Sequence, residues 1–557
     1  MSMTPSYVHG VGTIPLLAHT IGSCFDETAE RFADGDALII PYQDIHWTWS
    51  QLKEQVDAYA AGFAALGLEP GQRLGIWAPN NWQWVVTQFA SAKAGLILVN
   101  INPAYRLSEL AYALERTGCS ALITAPSLKT SNYINMLYEL IPELSTAQPG
   151  RLTSKKFPEL NTVITLGDEK SSGFVNFNEV PQWAKTEYHE KIGALAETLQ
   201  FDDPINIQFT SGTTGAPKAA TLTHHNIVNN AYFVGLQMKL SSSDRMCIPV
   251  PMYHCFGMVL GTLCCVAHGA AMVFAAPGFD AHEVLKVLES ERCTVLHGVP
   301  TMFIAELDQA DFSAFDLATM RTGIMAGAPC PIELMKRVIG EMHLNEITIA
   351  YGMTETGPVS FQTSVDDSQD RRVTTVGRVL PHIEIKIVDE HGRIVPRGQP
   401  GELLTRGYCV MPEYWGDREK TAQAIDKAGW IASGDIATID EAGYCQIVGR
   451  IKDMLIRGGE NIFPREIEEF LYQHPKIEQV EVIGVDDEKY GEQVCAWIKL
   501  REGDTASEDE IKQFCKGKIA HFKIPYYIKF VDSFPMTVTG KVQKYVMRDM
   551  MSKELGL

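Results

Sequence analysis

The sequence predicts an α/β fold: a large amino-terminal domain of parallel-rich sheets flanked by helices, with a β subdomain, and then a small α+β carboxy-terminal domain. The chain has 557 residues, of which 45% are hydrophobic and 21% charged. Chains beyond about 300 residues divide into several cores. In the first half, short apolar runs alternate with helical patterns, as in parallel sheets that are covered by helices on both faces.

The first half contains one clear helix and a series of strands. Apolar residues at steps of four and three mark the buried face of this helix: Leu52, Val56, Tyr59, Phe63 and Leu66. Ser50 is predicted to cap the helix, and Gly67 to end it. Strands are predicted from apolar, β-rich runs at positions 96–101, 121–124, 162–166, 246–250, 272–275 and 294–296.

From residue 377 the pattern changes to short strands between glycine-containing turns. Strands at 383–388, 401–406 and 443–448 predict a β subdomain over about 377–448. The last hundred residues have elements of their own: a helix after Pro464, a strand at 480–485 and a helix capped by Ser507 in a Ser-x-x-Glu510 box. We therefore predict domains at 1–451 and 452–557.

A stretch without charged residues lies between Arg245 and Asp280, and its length raises the question of a membrane span. Polar and helix-breaking residues interrupt it at Pro249, Pro251, His254 and His268. A strand, a buried helix and another strand fit this pattern better than one long helix. We therefore expect no integral membrane segment.

The charge and the cysteines limit the partners and the compartment. A formal net charge of −20 argues against nucleic acid and anionic membrane surfaces as partners. Residues 512–557 instead carry nine Lys/Arg against three Asp/Glu, which would suit a phosphate-bearing ligand, although a solvated basic tail explains it equally well. Twelve cysteines without a Cys-x-x-Cys pair indicate reduced, buried thiols of a cytoplasmic protein.

The segment Phe209-Thr-Ser-Gly-Thr-Thr-Gly-Ala-Pro-Lys218 follows an apolar run and predicts a polyphosphate site. Its glycines allow close backbone approach, its backbone N–H groups can form an anion-binding nest, and its hydroxyls and ammonium can bind phosphate oxygens. We assign to this site Thr210, Ser211, Gly212, Thr213, Thr214, Gly215 and Lys218. The spacing is not the Walker pattern, because two residues separate the glycines; an ordinary Ser/Thr/Gly/Pro loop is the alternative.

Further motifs follow, and together with the 209–218 segment they span more than 300 residues. They are Tyr-Gly-Met-Thr-Glu-Thr at 351–356, Ser-Gly-Asp at 433–435, Gly-Arg-Ile-Lys-Asp at 449–453 and Pro-Met-Thr-Val-Thr-Gly-Lys-Val-Gln-Lys at 535–544. Together they resemble the adenylate-forming (AMP-binding) enzyme superfamily from about residue 25 to the end. Through 251–257, 407–411 and 457–462 the chain is most similar to medium-chain and related fatty acyl-CoA synthetases.

The resemblance implies a two-step ligase reaction. A carboxylate and ATP give acyl-AMP and pyrophosphate, and coenzyme A then gives acyl-CoA and AMP. The Thr210–Lys218 segment would hold the β- and γ-phosphates, Thr354 would contact the α-phosphate, and Glu355 would bind Mg2+, which prefers a carboxylate and several waters. The substrate would be a small-molecule monocarboxylic acid, a medium-chain fatty acid.

The same resemblance assigns the nucleoside and the reacting carboxylate. Tyr351 would stack on adenine, with Gly327, Ala328 and Pro329 as the opposite wall. Asp435 accepts hydrogen bonds at neutral pH and so suits the ribose hydroxyls, with Arg450 as its partner. Lys541 is the main catalytic candidate, because a compact charge on a flexible stem can bridge the carboxylate and the α-phosphate. His254 would lie near the carboxylate; a structural histidine is the alternative.

The remaining assignments concern the acyl chain, coenzyme A and movement. Apolar neighbours of the motifs would line the acyl chain: Phe256, Met258, Val259, Gly298, Val299, Met302, Ile324 and Met353. The family rotates a mobile carboxy-terminal domain between its half-reactions. Lys452 occupies the hinge position, and Gly458 and Gly459 would let pantetheine pass. The oligomeric state stays open, with a homodimer among the alternatives.

Other functions remain to be weighed against this one. An aryl or other carboxylate–CoA ligase would use the same mechanism, and a stand-alone adenylation enzyme would load a carrier protein supplied in trans. A luciferase-type oxygenation would need additional chemistry for which the sequence shows no separate signal. An inactive nucleotide sensor is disfavoured because Lys218, Glu355, Asp435 and Lys541 are all present.

Overall fold

The computed structural model describes residues 4–210, 217–537 and 540–556. Its α-helices are Ile21–Arg31, Trp49–Ala65, Trp82–Lys93, Leu107–Thr117, Tyr133–Leu140, Thr186–Ala196, His224–Gln237, Cys255–Gly257, Cys264–His268, Ala281–Ser290, Pro300–Leu307, Ile332–Glu341, Gln369–Thr374, Arg418–Ala424, Pro464–Leu471, Glu508–Cys515 and Lys544–Leu555. A π-helical turn, Met258–Leu263, joins Cys255–Gly257 to Cys264–His268. Short 3-10 turns include Thr354–Thr356 and Ile451–Asp453.

Two large sheets form the amino-terminal part. In spatial order, the first contains Val175–Asn176, Thr162–Thr165, Cys119–Thr124, Arg73–Trp77, Ile97–Asn100, Pro204–Thr210, Lys218–Thr223 and Glu413–Tyr414. The second contains Arg378–Val379, Val359–Gln362, Glu346–Gly352, Thr322–Met325, Val295–Gly298, Arg245–Cys247, Ala271–Val273, Asp36–Ile40 and Ile45–Thr48. The inner strands are parallel and the antiparallel pairs lie toward the edges. The predicted α/β class with parallel-rich sheets is confirmed.

A third sheet is antiparallel and corresponds to the predicted β subdomain. Its strands, in order, are Tyr7–His9, Ile383–Val388, Gly401–Gly407, Ile431–Ile439 and Cys445–Arg450. The strands Tyr7–His9 and Ile431–Ile439 were not predicted. Tyr7–His9 is three residues long and pairs with a strand more than 370 positions away, so no local sequence pattern predicts it.

The carboxy-terminal part has its own sheet and cores. In spatial order the strands are Glu460–Ile462, Leu455–Arg457, Gly491–Leu500 and Ile477–Asp487, and Tyr527–Phe530 pairs with Gly491–Leu500. The largest apolar cluster extends from Ile21 to Cys445, whereas two smaller clusters begin at Leu455 and Ile483. This separation of cores agrees with two domains; the boundary at 451/452 and the hinge at Lys452 stay predictions.

The predicted cap of the first clear helix is wrong by two residues. The helix spans Trp49–Ala65, and its cap is Thr48, whose hydroxyl accepts from the Gln51 N–H while the Gln51 side chain accepts from the Thr48 N–H. Ser50 already lies inside the first turn. This reciprocal capping box satisfies two backbone donors, which one serine at position 50 could not do. Gly67 follows the helix with a φ of +85°, as expected.

The charge-free stretch folds as predicted into a strand, a buried helical segment and a strand, Arg245–Cys247, 255–268 and Ala271–Val273. Within the described residues, none of the helices is long and apolar enough to cross a membrane. The described residues include all twelve cysteines, and each is buried as a free thiol.

Candidate active site

The two strands beside the predicted phosphate-binding segment lie next to each other in the first sheet. Pro204–Thr210 and Lys218–Thr223 pair antiparallel, and Thr210 lies opposite Lys218. Ser211, Gly212, Thr213, Thr214 and Gly215 lie outside the described residues. The sheet therefore brings the hydroxyl of Thr210 and the ammonium of Lys218 to one edge, where both could reach the same anion.

Glu355 lies at the same edge. Its Oε1 atom accepts a hydrogen bond from the Thr210 hydroxyl at 3.2 Å and another from the Tyr414 hydroxyl at 2.8 Å. The Lys218 ammonium lies 4.9 Å from the centre of the Tyr414 ring and 3.5 Å from its hydroxyl oxygen. One tyrosine thus contacts both the predicted phosphate-binding lysine and the predicted metal ligand.

Tyr414 was missed by the sequence analysis. It lies on the short strand Glu413–Tyr414, which pairs with Lys218–Thr223 from a position almost 200 residues later. Its local sequence, Pro-Glu-Tyr-Trp-Gly, contains nothing that separates a buried core tyrosine from a site residue. The signal is the sheet pairing, which the sequence alone does not give.

The nucleoside candidates also come together. The Tyr351 hydroxyl donates to Asp435 Oδ2 at 2.6 Å, and Arg450 Nε lies 3.2 Å from Asp435 Oδ1. Asp435 and Arg450 are direct partners on neighbouring strands. Burial, followed by the negative charge of Asp435, raises the pKa of Tyr351 well above its usual value. Tyr351 is therefore a neutral donor, and the carboxylate oxygens of Asp435 keep lone pairs for ribose hydroxyls.

The register of the second sheet brings Gly327 and Tyr351 to the same edge of the sheet. Met325 pairs with Ile349, and Gly327 and Tyr351 each follow two residues later at the carboxyl edge. Carbonyl oxygens of Met325 and Ala328 accept from the Cys330 thiol at 3.4 and 3.5 Å, which fixes the turn that contains Ala328 and Pro329. The arrangement is compatible with two walls of a flat site; the adenine contact stays a prediction.

Lys541 reaches this edge from the carboxy-terminal part. A Cβ added to Gly327 would lie 3.9 Å from Lys541 Cε, so the lysine stem passes directly over this glycine. Burial, and then the positive charge of Arg450, lower the pKa of Lys541, whereas Cys255, Glu355 and Asp435 act in the opposite direction. The charges of the predicted metal ligand and of both ribose candidates therefore act on this ammonium.

His254 is neutral in this site. Its Nδ1 atom accepts from the Phe256 backbone N–H at 3.2 Å, which leaves the proton on Nε2. Burial, followed by the charge of Lys541, lowers the pKa of His254 to about 3. The imidazole can consequently donate one hydrogen bond through Nε2 but does not supply a positive charge. Thr354 lies nearby, with its hydroxyl 3.7 Å from the Cys255 thiol.

Gly458 and Gly459 form the tip of a hairpin between Leu455–Arg457 and Glu460–Ile462. Their φ angles of +61° and +89° are the left-handed values that a two-residue hairpin requires. Around this tip, Arg457 donates to Gln493 at 2.7 Å and lies over the Tyr490 ring at 4.8 Å. These contacts lie within the carboxy-terminal part and do not link the hairpin to Lys541.

The acyl-wall candidates are mostly buried. Seven of the eight have little or no exposure: Phe256, Met258, Val259, Gly298, Val299, Met302 and Ile324. Val299 connects this group to the catalytic candidate, because a Cβ on Gly540 would lie 3.0 Å from both Val299 Cγ2 and Thr301 Oγ1. The apolar group therefore begins directly under the loop that carries Lys541. The path of an acyl chain along it stays a prediction.

The donor set around Glu355 fits Mg2+. This ion keeps several waters and takes one or two carboxylates together with substrate phosphates. Glu355 is a single carboxylate beside Thr210, at the edge of the predicted phosphate site. Among the described residues, none of the His/Cys/Asp/Glu groups has three members placed to hold a metal ion, so phosphate and water oxygens would complete the coordination.

Comparisons with known proteins agree with this geometry. The AMP-binding enzyme family model matches residues 25–415, and the model of the AMP-binding enzyme C-terminal domain matches residues 466–541. Medium-chain acyl-CoA ligase ACSF2, mitochondrial, of Danio rerio is 47% identical over 100% of this chain and 92% of its own length.

Among solved structures, the anthranilate CoA ligase AuaEII in complex with anthranoyl-AMP is 26% identical, covers 98% of this chain and 99% of its own, and has a TM-score of 0.86. ATP-bound MatB from Rhodopseudomonas palustris is 27% identical over 96% of this chain and 100% of its own, with a TM-score of 0.79. The site residues, the family models and these relatives lead to one conclusion: the chain belongs to the AMP-binding enzyme family.

Proposed function

We propose that this chain is an AMP-forming acyl-CoA synthetase that activates a medium-chain fatty acid. The observation that carries the proposal is the placement of Lys541 directly over Gly327, where the charges of Glu355, Asp435 and Arg450 act on its ammonium. An ammonium at this position can contact a carboxylate and an α-phosphate at once. The name of the Danio rerio relative supports the acyl-CoA ligase activity and the medium chain length.

In the first half-reaction, a carboxylate oxygen attacks the α-phosphorus of ATP. The new O–P bond forms as the bond to the bridging oxygen breaks, and pyrophosphate leaves. Lys218 and Thr210 would hold the leaving phosphates, while Lys541 would stabilise charge that develops on the α-phosphate. Mg2+ bound at Glu355 would neutralise further phosphate charge. Tyr351 and Asp435 would fix the nucleoside.

In the second half-reaction, the thiol sulfur of coenzyme A attacks the acyl carbonyl carbon. The C–S bond forms, the bond between the acyl carbon and the AMP oxygen breaks, AMP leaves with that electron pair, and the thiol proton passes to solvent water. His254 is a weak base because its pKa is about 3, so we assign it a hydrogen bond from Nε2 to the substrate carboxylate oxygen, which is the acyl carbonyl oxygen in this second step. This role suits a neutral imidazole near a reacting carbonyl.

A fatty acid is proposed because the acyl-wall candidates contain no cationic side chain. A second carboxylate would be buried there without a partner, which costs several kcal/mol. A carboxylate–CoA ligase for aryl acids is the second candidate, supported by the similarity to the anthranilate CoA ligase. Loading of a carrier protein in trans is the third. We further propose a cytoplasmic location, because the cysteines are free thiols. Light scattering would measure the molar mass in solution and so distinguish a monomer from a homodimer.

One assay tests these functions together. Pyrophosphate release is measured with straight-chain fatty acids, aryl acids, dicarboxylates and amino acids, each with and without coenzyme A. Turnover that requires a medium-chain acid and coenzyme A supports the proposal. Turnover with aryl acids alone would change the assigned substrate from a fatty acid to an aryl acid. Pyrophosphate release that coenzyme A does not stimulate would favour a carrier-loading enzyme.

A further inference from the structure

Lys544 lies three residues after Lys541 and is largely buried, with 18% of its side chain exposed. Its ammonium makes a short hydrogen bond to Glu468 Oε1, lies 3.2 Å from Glu481 Oε2 and donates to the Val482 carbonyl at 3.1 Å. A lysine ammonium has three donors, and here each has an oxygen partner. A long, flexible side chain is thus held in one position inside the carboxy-terminal part.

The three partners belong to different elements. Lys544 begins the helix Lys544–Leu555, Glu468 lies in the helix Pro464–Leu471, and Glu481 and Val482 lie in the strand Ile477–Asp487. Glu468 Oε1 also accepts from the Val482 N–H at 2.8 Å, so its position is fixed from the strand as well. We call Lys544, Glu468 and Glu481 the lysine–glutamate cluster. It ties the start of the last helix to a strand and a helix of the domain.

The segment between Lys541 and the cluster is short and braced by backbone contacts. The Thr537 N–H donates to the Lys541 carbonyl at 2.8 Å, and the Gln543 N–H donates to the Pro535 carbonyl at 2.8 Å. Between them, Met536 and Val542 form an antiparallel β-bridge. Three residues span at most about 10 Å. A displacement of Lys544 is therefore transmitted to the backbone of Lys541, which has little free chain to absorb it.

The same helix also contacts the predicted hinge. Arg548, one turn beyond Lys544, donates to the Lys452 carbonyl at 3.4 Å and lies 3.5 Å from the Asp453 carboxylate. The last helix consequently connects three places: the loop that carries Lys541 just before the helix, the lysine–glutamate cluster, and the 451–453 turn. Through these contacts the helix can determine the position of the Lys541 side chain.

The charges in the cluster do not balance. One ammonium faces two carboxylates, and the charge of Asp453 acts on Glu481 and on Lys544 as well. Burial raises the pKa of Glu481 to about 7, while Lys544 lowers it and Glu468 raises it. A buried cluster of this kind is poor evidence of added stability, because apolar residues of the same volume often serve as well. What apolar residues lack is the fixed geometry of three directed hydrogen bonds.

We propose that Lys544 is a positioning residue for the adenylation half-reaction: through Glu468 and Glu481 it holds the loop that places Lys541 over Gly327. This inference rests on the proposed function. It predicts that loss of the Lys544 ammonium slows formation of the acyl adenylate and spares the transfer of the acyl group from acyl-AMP to coenzyme A, since Lys541 is needed in the first step.

The test uses the full chain with Lys544→Met, which keeps the apolar stem and removes the ammonium. Adenylation is followed by acid-dependent exchange of pyrophosphate into ATP, and thioester formation by the conversion of synthetic acyl-AMP and coenzyme A. We expect at least a tenfold lower exchange rate and thioester formation within twofold of the unsubstituted enzyme. Lys544→Arg, which retains a cation, should restore much of the exchange.

Two further variants keep the test decisive. Lys544→Met/Glu481→Gln preserves the net charge of the cluster and the bond between Glu468 and Val482, so it should fold even if the single variant does not, and it should show the same selective loss. Lys499→Met removes another ion pair of this domain, between Lys499 and Glu478, and should leave both half-reactions unchanged.

The outcomes distinguish a failure of the positioning role of Lys544 from a failure of the proposed synthetase function. Equal losses in both half-reactions, or full exchange activity in a folded Lys544→Met protein, would overturn the positioning role and leave the synthetase function standing. Absence of acid-dependent exchange in the unsubstituted enzyme would instead overturn the proposed function itself.

Discussion

The Tyr414 hydroxyl donates a 2.8 Å hydrogen bond to Glu355, and the Tyr414 ring lies under the Lys218 ammonium. A residue outside the sequence motifs therefore links the predicted metal ligand to the predicted phosphate-binding lysine. Because the side chain is 3% exposed, its geometry is set by packing. Substitution of Tyr414 therefore tests directly whether this edge of the sheet binds the polyphosphate.

Tyr414→Phe is expected to lower kcat/KM for ATP about tenfold. The substitution keeps the ring and removes a hydrogen bond to a charged group, which contributes roughly 1.5–3 kcal/mol. Steady-state kinetics with varied MgATP measure the effect. Tyr138→Phe is the matched control, because its hydroxyl donates to the Ser172 carbonyl away from the site. Equal kcat/KM values for ATP in all three proteins would remove Tyr414 from the site.

Lys541→Ala is expected to abolish adenylate formation and to preserve most thioester formation from synthetic acyl-AMP and coenzyme A. The reason is that adenylation needs a cation between the carboxylate and the α-phosphate, whereas the second step has lost the pyrophosphate. The two half-reactions are measured separately in the folded variant. Parallel loss of both would show that Lys541 has another role.

Adenylation should decline on the alkaline side at a pH below the ordinary lysine pKa of about 10.4. The protonated form of Lys541 is the active one, and burial and then Arg450 lower its pKa. Arg450→Gln removes a positive charge, so the alkaline decline should move to higher pH even if the height of the profile falls. The pH dependence of kcat/KM for ATP reports this group in the free enzyme.

Arg393→Gln serves as the control for the pH profile, because Arg393 is 72% exposed and pairs with Asp389. Its alkaline decline should coincide with that of the unsubstituted enzyme. An Arg450→Gln profile that is unmoved, or that moves to lower pH, contradicts the electrostatic account of Lys541.

Gly459→Leu is expected to preserve pyrophosphate exchange and to lower turnover that depends on coenzyme A. A Cβ at Gly459 meets no atom within 4 Å in this arrangement, so the side chain should obstruct only a pose in which the hairpin faces pantetheine. The positive φ adds backbone strain of about 1–2 kcal/mol. Gly503→Leu controls for it, since Gly503 has a φ of +83° and the same open surroundings. A parallel fall of exchange and turnover would make the hairpin structural.

The acid preference should follow burial of apolar surface. Each methylene against the acyl-wall candidates should contribute about 0.8 kcal/mol, or roughly fourfold in kcat/KM, until the pocket ends. We therefore expect kcat/KM to rise from acetate to a medium-chain acid and to be at least about a hundredfold lower for dicarboxylates and amino acids. A preference for acetate, malonate or an amino acid would refute the acyl assignment and leave adenylation intact.

The sequence predicted the fold class, and it suggested most residues of the candidate site because each motif is local. Tyr351 and Gly327 lie at or just after strand ends, and Asp435 belongs to a short Ser-Gly-Asp motif. The resemblance gave each motif its expected role. The contacts of Tyr414 and Lys544 were not predictable in this way. Both depend on partners from distant strands and helices. In the sequence alone, Lys544, three residues after the catalytic candidate Lys541, is indistinguishable from an exposed surface lysine.

The error at Ser50 has a different origin. Thr48 and Ser50 both lie before the periodic apolar residues, and a hydroxyl at either position can cap a helix. The choice depends on Gln51, whose side chain returns to the Thr48 N–H. Ser211 to Gly215 lie outside the described residues, so the centre of the phosphate-binding segment stays a prediction from sequence.

The short strand Tyr7–His9 has a practical consequence. The family model begins at residue 25, yet this strand covers the edge of Ile383–Val388. On either side of it, the Ile387 N–H donates to the Ser6 carbonyl and the Gly10 N–H donates to the Ile383 carbonyl. A truncated expression clone that starts at the family boundary would expose an unpaired β-edge, which can recruit another chain. Such a clone should precipitate or oligomerise, so preparations for crystallisation should retain the first ten residues and carry any affinity tag at the opposite terminus.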